Sequence, residues 1–414
     1  MINDGERLTE LLSKLKKLNK LLFLELIKFY NFDFNNNNNN NDDDDKENDY
    51  YDNEWDGDFS KVKLNSFKIS NLFINNPIIS APMAGISDNT YRIFAKHLGC
   101  SLTYSEMVTS YGLIYKHKKS FEIVKLTNYE RPCAIQIFGN DANVVAEAAQ
   151  LIEENADVID INMGCPVPKV LKTKSGGYLL NEPETIRKII KKVKENIKKP
   201  LTVKLRIGWD NNNINIIEIA KIAENEGVDA IAIHGRTVKQ GYSGTANYEY
   251  IKKVKSIVKI PVIASGDIDN LAKARWVMNF TGCDGLMIGR AARGNPWIFM
   301  QLLLGLFILN NRINNRNFKT NENIKLNEND NINANDNNLL NLNFLISNDL
   351  KIDYMLLYLK FLIYFKGEEK AVKEFRKILG WAFKGQRDIS AIKNEFFKIN
   401  TFEDAQEILK NMKI

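Results

Sequence analysis

Eight short apolar runs, alternating with helix-patterned stretches over residues 65–308, constrain this chain more than any other feature. The runs are Pro77–Ala81, Leu102–Glu106, Cys133–Phe138, Val158–Ile161, Leu201–Leu205, Ala230–Ile233, Val262–Ala264 and Gly285–Ile288. Between them lie Asn143–Glu153, Glu184–Asn196, Ile214–Glu226, Tyr248–Val258 and Leu271–Asn279. Each of these is long enough for a helix and carries apolar residues every three or four positions. Eight β/α units in one span predict an α/β fold of the TIM (β/α)8 type. A doubly wound sheet is the rival architecture. It is disfavoured because Pro82-Met83-Ala84-Gly85, not a GxGxxG turn, follows the first strand.

The flanking sequence divides the 414 residues further. Residues 1–30 space leucines helically, at Leu8, Leu11, Leu15, Leu18, Leu22 and Leu26, and predict an amphipathic helix. Lys20, Glu25 and Lys28 interrupt its apolar side, so it is too polar to span a membrane; docking and organelle import both stay open for it. Residues 31–64 form an acidic Asn/Asp-rich linker and residues 310–349 an Asn-rich insertion. Such tracts bury too little apolar surface to offset the entropy of ordering. The catalytic barrel is expected over 65–309 and a small helical domain over 350–414.

Charge and cysteine usage narrow the function classes. The net charge of +6 conceals an acidic segment, residues 31–59, that alone sums to −10, so the remainder carries +16. That excess is compatible with a polyanionic partner. The four cysteines, Cys100, Cys133, Cys165 and Cys283, have no CxxC spacing; they suggest neither a metal site nor a disulfide framework, and they fit a reducing, cytoplasmic location.

In TIM barrels the working residues follow the carboxyl ends of the strands. Here those positions hold Pro82, Met83 and Gly85 after strand one, Glu106 after strand two and Gln136 near the end of strand three. Strand four runs into Asn162-Met163-Gly164-Cys165-Pro166. Strand five presents Lys204 and Arg206, strand six His234 and Arg236, strand seven Gly266-Asp267, and strand eight Gly289-Arg290. Glycines in the last two loops let backbone N–H groups approach oxygens, an arginine adds a bidentate contact and a following helix N-terminus adds positive potential; together they predict a phosphate-bearing cofactor. Lys204 and His234 are suited to the polar edge of a flavin, and Gln136 offers an amide to its pyrimidine side. Cys165, on a proline-stiffened loop over the mouth, can act as an acid or as a nucleophile.

These motifs resemble those of the tRNA-dihydrouridine synthases, particularly the bacterial-type branch in which a helical domain follows the barrel. The resemblance covers roughly 65–300 and 350–414. It rests on Ala81-Pro82-Met83-Ala84-Gly85, Asp160-Ile161-Asn162-Met163-Gly164-Cys165-Pro166, Lys174-Ser175-Gly176-Gly177, Val203-Lys204-Leu205-Arg206, His234-Gly235-Arg236-Thr237 and Gly289-Arg290-Ala291-Ala292-Arg293-Gly294-Asn295-Pro296-Trp297. In the tail, Gly367-Glu368-Glu369-Lys370 and Phe375-Arg376-Lys377-Ile378-Leu379-Gly380-Trp381 extend it. It implies FMN held by Pro82, Met83, Gln136, Lys204, His234, Gly266, Asp267, Gly289 and Arg290, with NADPH as reductant. It further implies hydride transfer to uracil C6 and Cys165 as the general acid at C5. Asn162 and Arg206 would contact the base, and the tail, with thirteen Lys or Arg against nine acids over 351–414, would bind tRNA. No metal, no membrane and a monomeric state are expected.

Ser265 stands where the family usually has asparagine, and Ala246-Asn247-Tyr248 where it has Ala-Asp-Trp. Two other readings remain at this point: an FMN-dependent reductase of a free pyrimidine, similar to dihydroorotate dehydrogenase, and a non-catalytic tRNA-binding protein.

Overall fold

The computed structural model describes residues 4–30, 64–319, 346–384 and 389–412. It divides into two compact units, one of residues 60–292 and one that joins 1–59 with 293–414. The acidic linker lies almost wholly outside the described residues, as does most of the Asn-rich insertion, although a helix beginning at Ile298 continues to Lys319.

The first unit is the barrel. A hairpin of β1 (Phe67–Ile69) and β2 (Leu72–Ile74) precedes β3 (Ile78–Ser80), β4 (Thr103–Tyr104), β5 (Val108–Thr109) and β6 (Cys133–Phe138). Then come β7 (Val158–Met163), β8 (Leu201–Arg206), β9 (Ala230–His234), β10 (Val262–Ser265) and β11 (Gly285–Ile288). All pairs in the large sheet are parallel, in the order β3-β11-β10-β9-β8-β7-β6-β4, with β5 paired to the end of β6. A parallel bridge between Ile79 and Leu102 joins the first strand to the last and closes the ring. The eight runs of the sequence are the eight barrel strands, and the TIM barrel expectation holds.

The strands form because β-branched and aliphatic residues fill both faces. In β7 all six residues are buried, as parallel strands covered by helices require. The outer face meets helices such as Pro183–Asn196, which buries Ile186, Ile189, Ile190 and Val193. The inner face is an apolar plug of Ile79, Leu102, Tyr104, Ala134, Val158, Ala230, Ala232, Ile263 and Met287. Ile69 and Ile74 of the hairpin belong to the same cluster, and Phe67 lies beside Gly285 at the start of β11, so the hairpin covers the amino-terminal end of the barrel. The carboxyl end, where the polar residues follow the strands, is left uncovered by this hairpin.

The second unit is helical. Its helices include Asp4–Tyr30, Ile298–Lys319, Asn348–Lys366, Glu368–Ala382, Ile389–Phe396 and Phe402–Asn411. The amino-terminal helix is packed among the others: Leu8, Leu11, Leu15, Leu22 and Leu26 are buried, and the Tyr354 hydroxyl donates to buried Asn19 Oδ1 at 2.8 Å. Trp297 sits beside the Tyr354 ring in the same core. Part of the basic tail serves this unit internally. Arg376 donates to the Ile399 carbonyl and Lys377 lies over Trp381, while Lys370 and Lys384 are exposed and Arg387 falls outside the described residues. Among the described residues no helix is long and apolar enough to cross a membrane.

Candidate active site

Strand register brings the polar residues together. Gln136 pairs with Asp160 across β6 and β7, Asp160 with Thr202 and Asn162 with Lys204 across β7 and β8, and Arg206 with His234 across β8 and β9. Side chains two apart on a strand share a face, so Asp160 and Asn162, like Thr202, Lys204 and Arg206, line one interior wall.

On that wall the groups form one chain of hydrogen bonds. Thr202 Oγ1 donates to Asp160 Oδ1 and Gln136 Nε2 to Asp160 Oδ2, each at 2.6 Å. Asn162 Nδ2 donates to Gln136 Oε1 at 2.9 Å, and Asn162 Oδ1 accepts the backbone N–H groups of Gly164 and Cys165 at 3.2 and 2.9 Å. Ser105 Oγ accepts the Gln136 N–H, and Met107 Sδ lies 3.8 Å from Asn162 Nδ2. Burial pushes the Asp160 carboxyl up to about 7, against the opposing hydrogen bonds from Thr202 and Gln136 and the charge of Lys204.

Cys165 therefore stands on a loop whose backbone is held by Asn162. Its carbonyl accepts the Gly177 N–H at 3.0 Å; a Cβ on Gly177 would approach that carbonyl to 3.0 Å and Val238 to 2.7 Å, so the close passage of the two segments requires glycine there. The side chain is 9% exposed. Burial raises its thiol above the ordinary value, only partly offset by the Val167 backbone and the charges of Lys204 and Arg206. Near neutral pH it is a thiol with a proton to give.

Lys204 is half-buried, and its ammonium has no hydrogen-bond partner among the described residues. Burial and the neighbouring Arg206 lower it to about 8. Arg206 is 2% exposed and spends its donors on loop carbonyls, Nε on Gly164 at 2.9 Å and Nη1 on Thr237 and Gly241, each at 2.7 Å. It ties the Cys165 loop to the loop after β9.

The opposite wall is cationic. Arg236, also 2% exposed, reaches Asp267 with Nη1 at 2.8 Å and Nη2 at 2.7 Å, and the carbonyls of Ser243 and Gly244. Arg290 Nη2 shares Asp267 Oδ1 at 2.8 Å, and its guanidinium lies 4.7 Å from the centre of the Tyr242 ring, which Arg206 also faces at 5.5 Å. Burial would raise the Asp267 carboxyl; the bonds from Arg236 and Ala246 and the charge of Arg290 outweigh it and hold it below the ordinary value. His234 Nε2 is 3.3 Å from Arg236 Nη1. A guanidinium only donates, so Nε2 accepts and the proton resides on Nδ1. Burial, then the charges of Lys204, Arg206, Arg236 and Arg290, hold this imidazole neutral, far below its usual range.

Gly266 has φ +118°, and a Cβ there would come within 2.8 Å of the His234 ring. The Tyr248 hydroxyl donates to the Gly266 carbonyl and so secures the loop after β10. Pro82 and Met83 are half-buried, with the Met83 N–H donating to Ser87 Oγ at 3.0 Å and Ser87 Oγ donating to the Ala81 carbonyl. Gly289 is half-buried and Arg290 opens a three-residue 3₁₀ turn, Arg290–Ala292. Pro296 stands two residues ahead of the next helix, at Ile298, and Gly294 is held at φ +65°; neither suits the helix interior.

Residue-type reasoning assigned no role to Asp160, Arg236 or Tyr242. A signal for the first was present: Asp160 and Asn162 are two apart in one strand and so share its inward face. Arg236 and Tyr242 lie beyond strand ends, where no periodicity reports direction.

A closed parallel barrel whose carboxyl-end mouth gathers a thiol with a raised hold on its proton, an ammonium without a hydrogen bond among the described residues and an arginine–carboxylate cluster has the build of an α/β-barrel enzyme, with its candidate site at that mouth. The family model for dihydrouridine synthase matches residues 79–414. The tRNA-dihydrouridine synthase B of Vibrio vulnificus is 45% identical over 236 residues, which are 57% of this chain and 73% of that protein. That of Pseudomonas syringae pv. tomato is 42% identical over 240 residues, 58% of this chain and 71% of the relative. Among solved structures, morphinone reductase aligns with a TM-score of 0.44 at 12% identity, covering 60% of this chain and 91% of that one. The chain belongs to the dihydrouridine synthase family, in its bacterial-type branch, and is an oxidoreductase.

Proposed function

We propose that the protein reduces the C5–C6 double bond of uridines in tRNA, with FMN bound in the barrel mouth and NADPH as the electron donor. The observation that carries the reading is the juxtaposition of a buried Cys165 thiol with a Lys204 ammonium that has no hydrogen-bond partner among the described residues on one wall, and a cationic cluster on the other.

The donor set fits FMN. Lys204, Arg206, Arg236 and Arg290 outnumber Asp267, and Asp160 is raised to about 7, so the mouth keeps surplus positive charge for a phosphate and an anionic ring. Lys204 and the Nδ1–H of His234 would donate to the polar edge of the ring and Gln136 to its pyrimidine side, while Pro82, Met83, Gly266, Asp267, Gly289 and Arg290 would line the remainder of the cofactor, with Arg290 as a donor among them. When bound, the cofactor supplies the hydride that reaches uracil C6.

The chain's own residues do the rest. Cys165 Sγ–H delivers the proton to C5, and the raised affinity of the thiol for its proton keeps it in the donating form at neutral pH. Asn162 orients the loop that carries Cys165 and would meet the base together with Arg206, whose Nε and Nη1 are held by loop carbonyls and whose Nη2 would make the contact. A uridine inside folded tRNA is stacked or paired and must be drawn out to reach the mouth; contacts elsewhere on the tRNA, including those of the basic helical tail, offset that cost.

Unmodified tRNA incubated with the purified protein, FMN and NADPH is expected to gain dihydrouridine, detected by mass spectrometry of digested RNA. Cys165→Ala is expected to lower the rate by about 10²-fold or more while NADPH still reduces the bound flavin. An unaltered rate in the variant removes Cys165 from the mechanism.

A further inference from the structure

The segment between β5 and β6 carries an exposed aromatic and basic patch that the barrel core does not use. Helix Ser110–Ile114 places Tyr111 and Tyr115 four residues apart, on one face. Their rings stack at 6.2 Å with planes 20° apart, and His117 continues the row at 6.3 Å from Tyr115. Tyr115 is 67% exposed and Tyr111 40%. The anchoring side of the segment is buried through Leu113, Ser120 and Val124. A Cβ on Gly112 would strike Ser120 Oγ at 2.4 Å, which brings this helix hard against Lys118–Val124. Lys116, at φ +53°, turns the chain sharply between the two helices, and the His117 N–H returns to the Gly112 carbonyl at 2.9 Å. The aromatic row is therefore set on a packed base.

Its charge is one-sided. Residues 110–125 hold Lys116, Lys118, Lys119 and Lys125 against Glu122, and all four lysines are exposed. Its position is next to the chemistry: β5 pairs with Ile137 and Phe138, directly after Gln136, and Met107 touches Asn162. A lone exposed aromatic needs no explanation, but stacked rings flanked by lysines are the means by which proteins hold an unpaired base and its phosphates.

We propose that this patch is a second nucleotide-binding site on the barrel, at which an unpaired nucleotide of the substrate tRNA stacks on Tyr115 and Tyr111 while Lys116, Lys118 and Lys119 meet the adjoining phosphates. The inference rests on the reading of tRNA as substrate and adds a place where the RNA is gripped beside the reacting uridine.

Affinity for an unmodified tRNA transcript, measured by fluorescence anisotropy over a salt series, tests it. The double substitution Tyr111→Ala with Tyr115→Ala is expected to weaken binding about tenfold or more, and Tyr115→Trp to retain wild-type affinity. Lys116→Gln, Lys118→Gln and Lys119→Gln together should flatten the plot of log affinity against log salt by about two units. NADPH-driven flavin reduction, which needs no RNA, should be unchanged in all of them. Binding within twofold of wild type in the double tyrosine variant, or an unchanged salt slope in the lysine variant, overturns the site. Absence of dihydrouridine formation by the wild-type protein is a separate result that overturns the functional reading instead.

Discussion

The two walls of the barrel mouth are built from different bonds. From β6 to β8 the wall is a relay of amides, a hydroxyl and one carboxyl, Thr202–Asp160–Gln136–Asn162, ending on the backbone of the Cys165 loop. From β9 to β11 it is a charge cluster in which Asp267 is gripped by Arg236 and shared with Arg290. The relay carries little net charge and fixes position; the cluster carries surplus charge and favours anions. A reaction that moves a proton at a defined atom beside an anionic cofactor needs both, and the barrel supplies them from opposite strands.

Breaking the cluster is expected to have the largest effect. Arg236→Met leaves Asp267 without its bidentate partner and the carbonyls of Ser243 and Gly244 without a donor, a loss of about 2–3 kcal/mol for a pair that is only partly desolvated. Chemical denaturation should report that loss, and titration should find flavin bound at least tenfold more weakly. Stability and flavin affinity both within error of wild type would dissolve the distinction between the walls.

The relay should respond differently. Asp160→Asn removes one of two strong acceptors, and a decline of about tenfold in dihydrouridine formation is expected with flavin affinity nearly preserved. The pH dependence of stability gives a second reading. Burial raises the Asp160 carboxyl to about 7, above the value of about 3.9 for an unfolded chain. Between those values the folded protein holds a proton that the unfolded chain has released, so this residue's contribution falls as pH rises from about 4 to about 7 and stays level above. Denaturation of wild type and Asp160→Asn across that window should show the fall only in wild type; parallel profiles would mean that the carboxyl titrates normally.

Arg290→Lys should have the smallest effect. It keeps a cation near Asp267 but loses the planar contact over Tyr242, and flavin affinity should fall about two- to fivefold. A fall as large as that of Arg236→Met would place the anchoring of the cluster at its exposed end.

Much of this was legible in the amino-acid order. Eight apolar runs of strand length, separated by helical periodicity, specified the barrel, because buried parallel strands and amphipathic helices leave distinct patterns. Residues at strand ends were legible too: Gln136, Asn162, Cys165, Lys204, Arg206, His234, Asp267 and Arg290 all lie at the carboxyl end where topology puts them. Their partners were not. That Asn162 serves the Cys165 backbone, that Arg206 and Arg236 give most of their donors to loop carbonyls and Asp267, and that Lys204 has no hydrogen bond among the described residues depend on register between strands distant in sequence. The helix at Asp4–Tyr30 is a similar case: its leucine spacing declared a buried face, but Tyr354 and Asn19 as partners follow only from the packed helices.

The sequence by itself determined the strands, the helices and which residues would gather at the mouth, since those follow from local periodicity and from chain direction in a parallel barrel. Only the tertiary structure decided which of those residues spend their hydrogen bonds on the fold and which remain for chemistry. A donor's availability is what is left after every neighbour is satisfied, and its neighbours here are brought in from strands dozens of residues away.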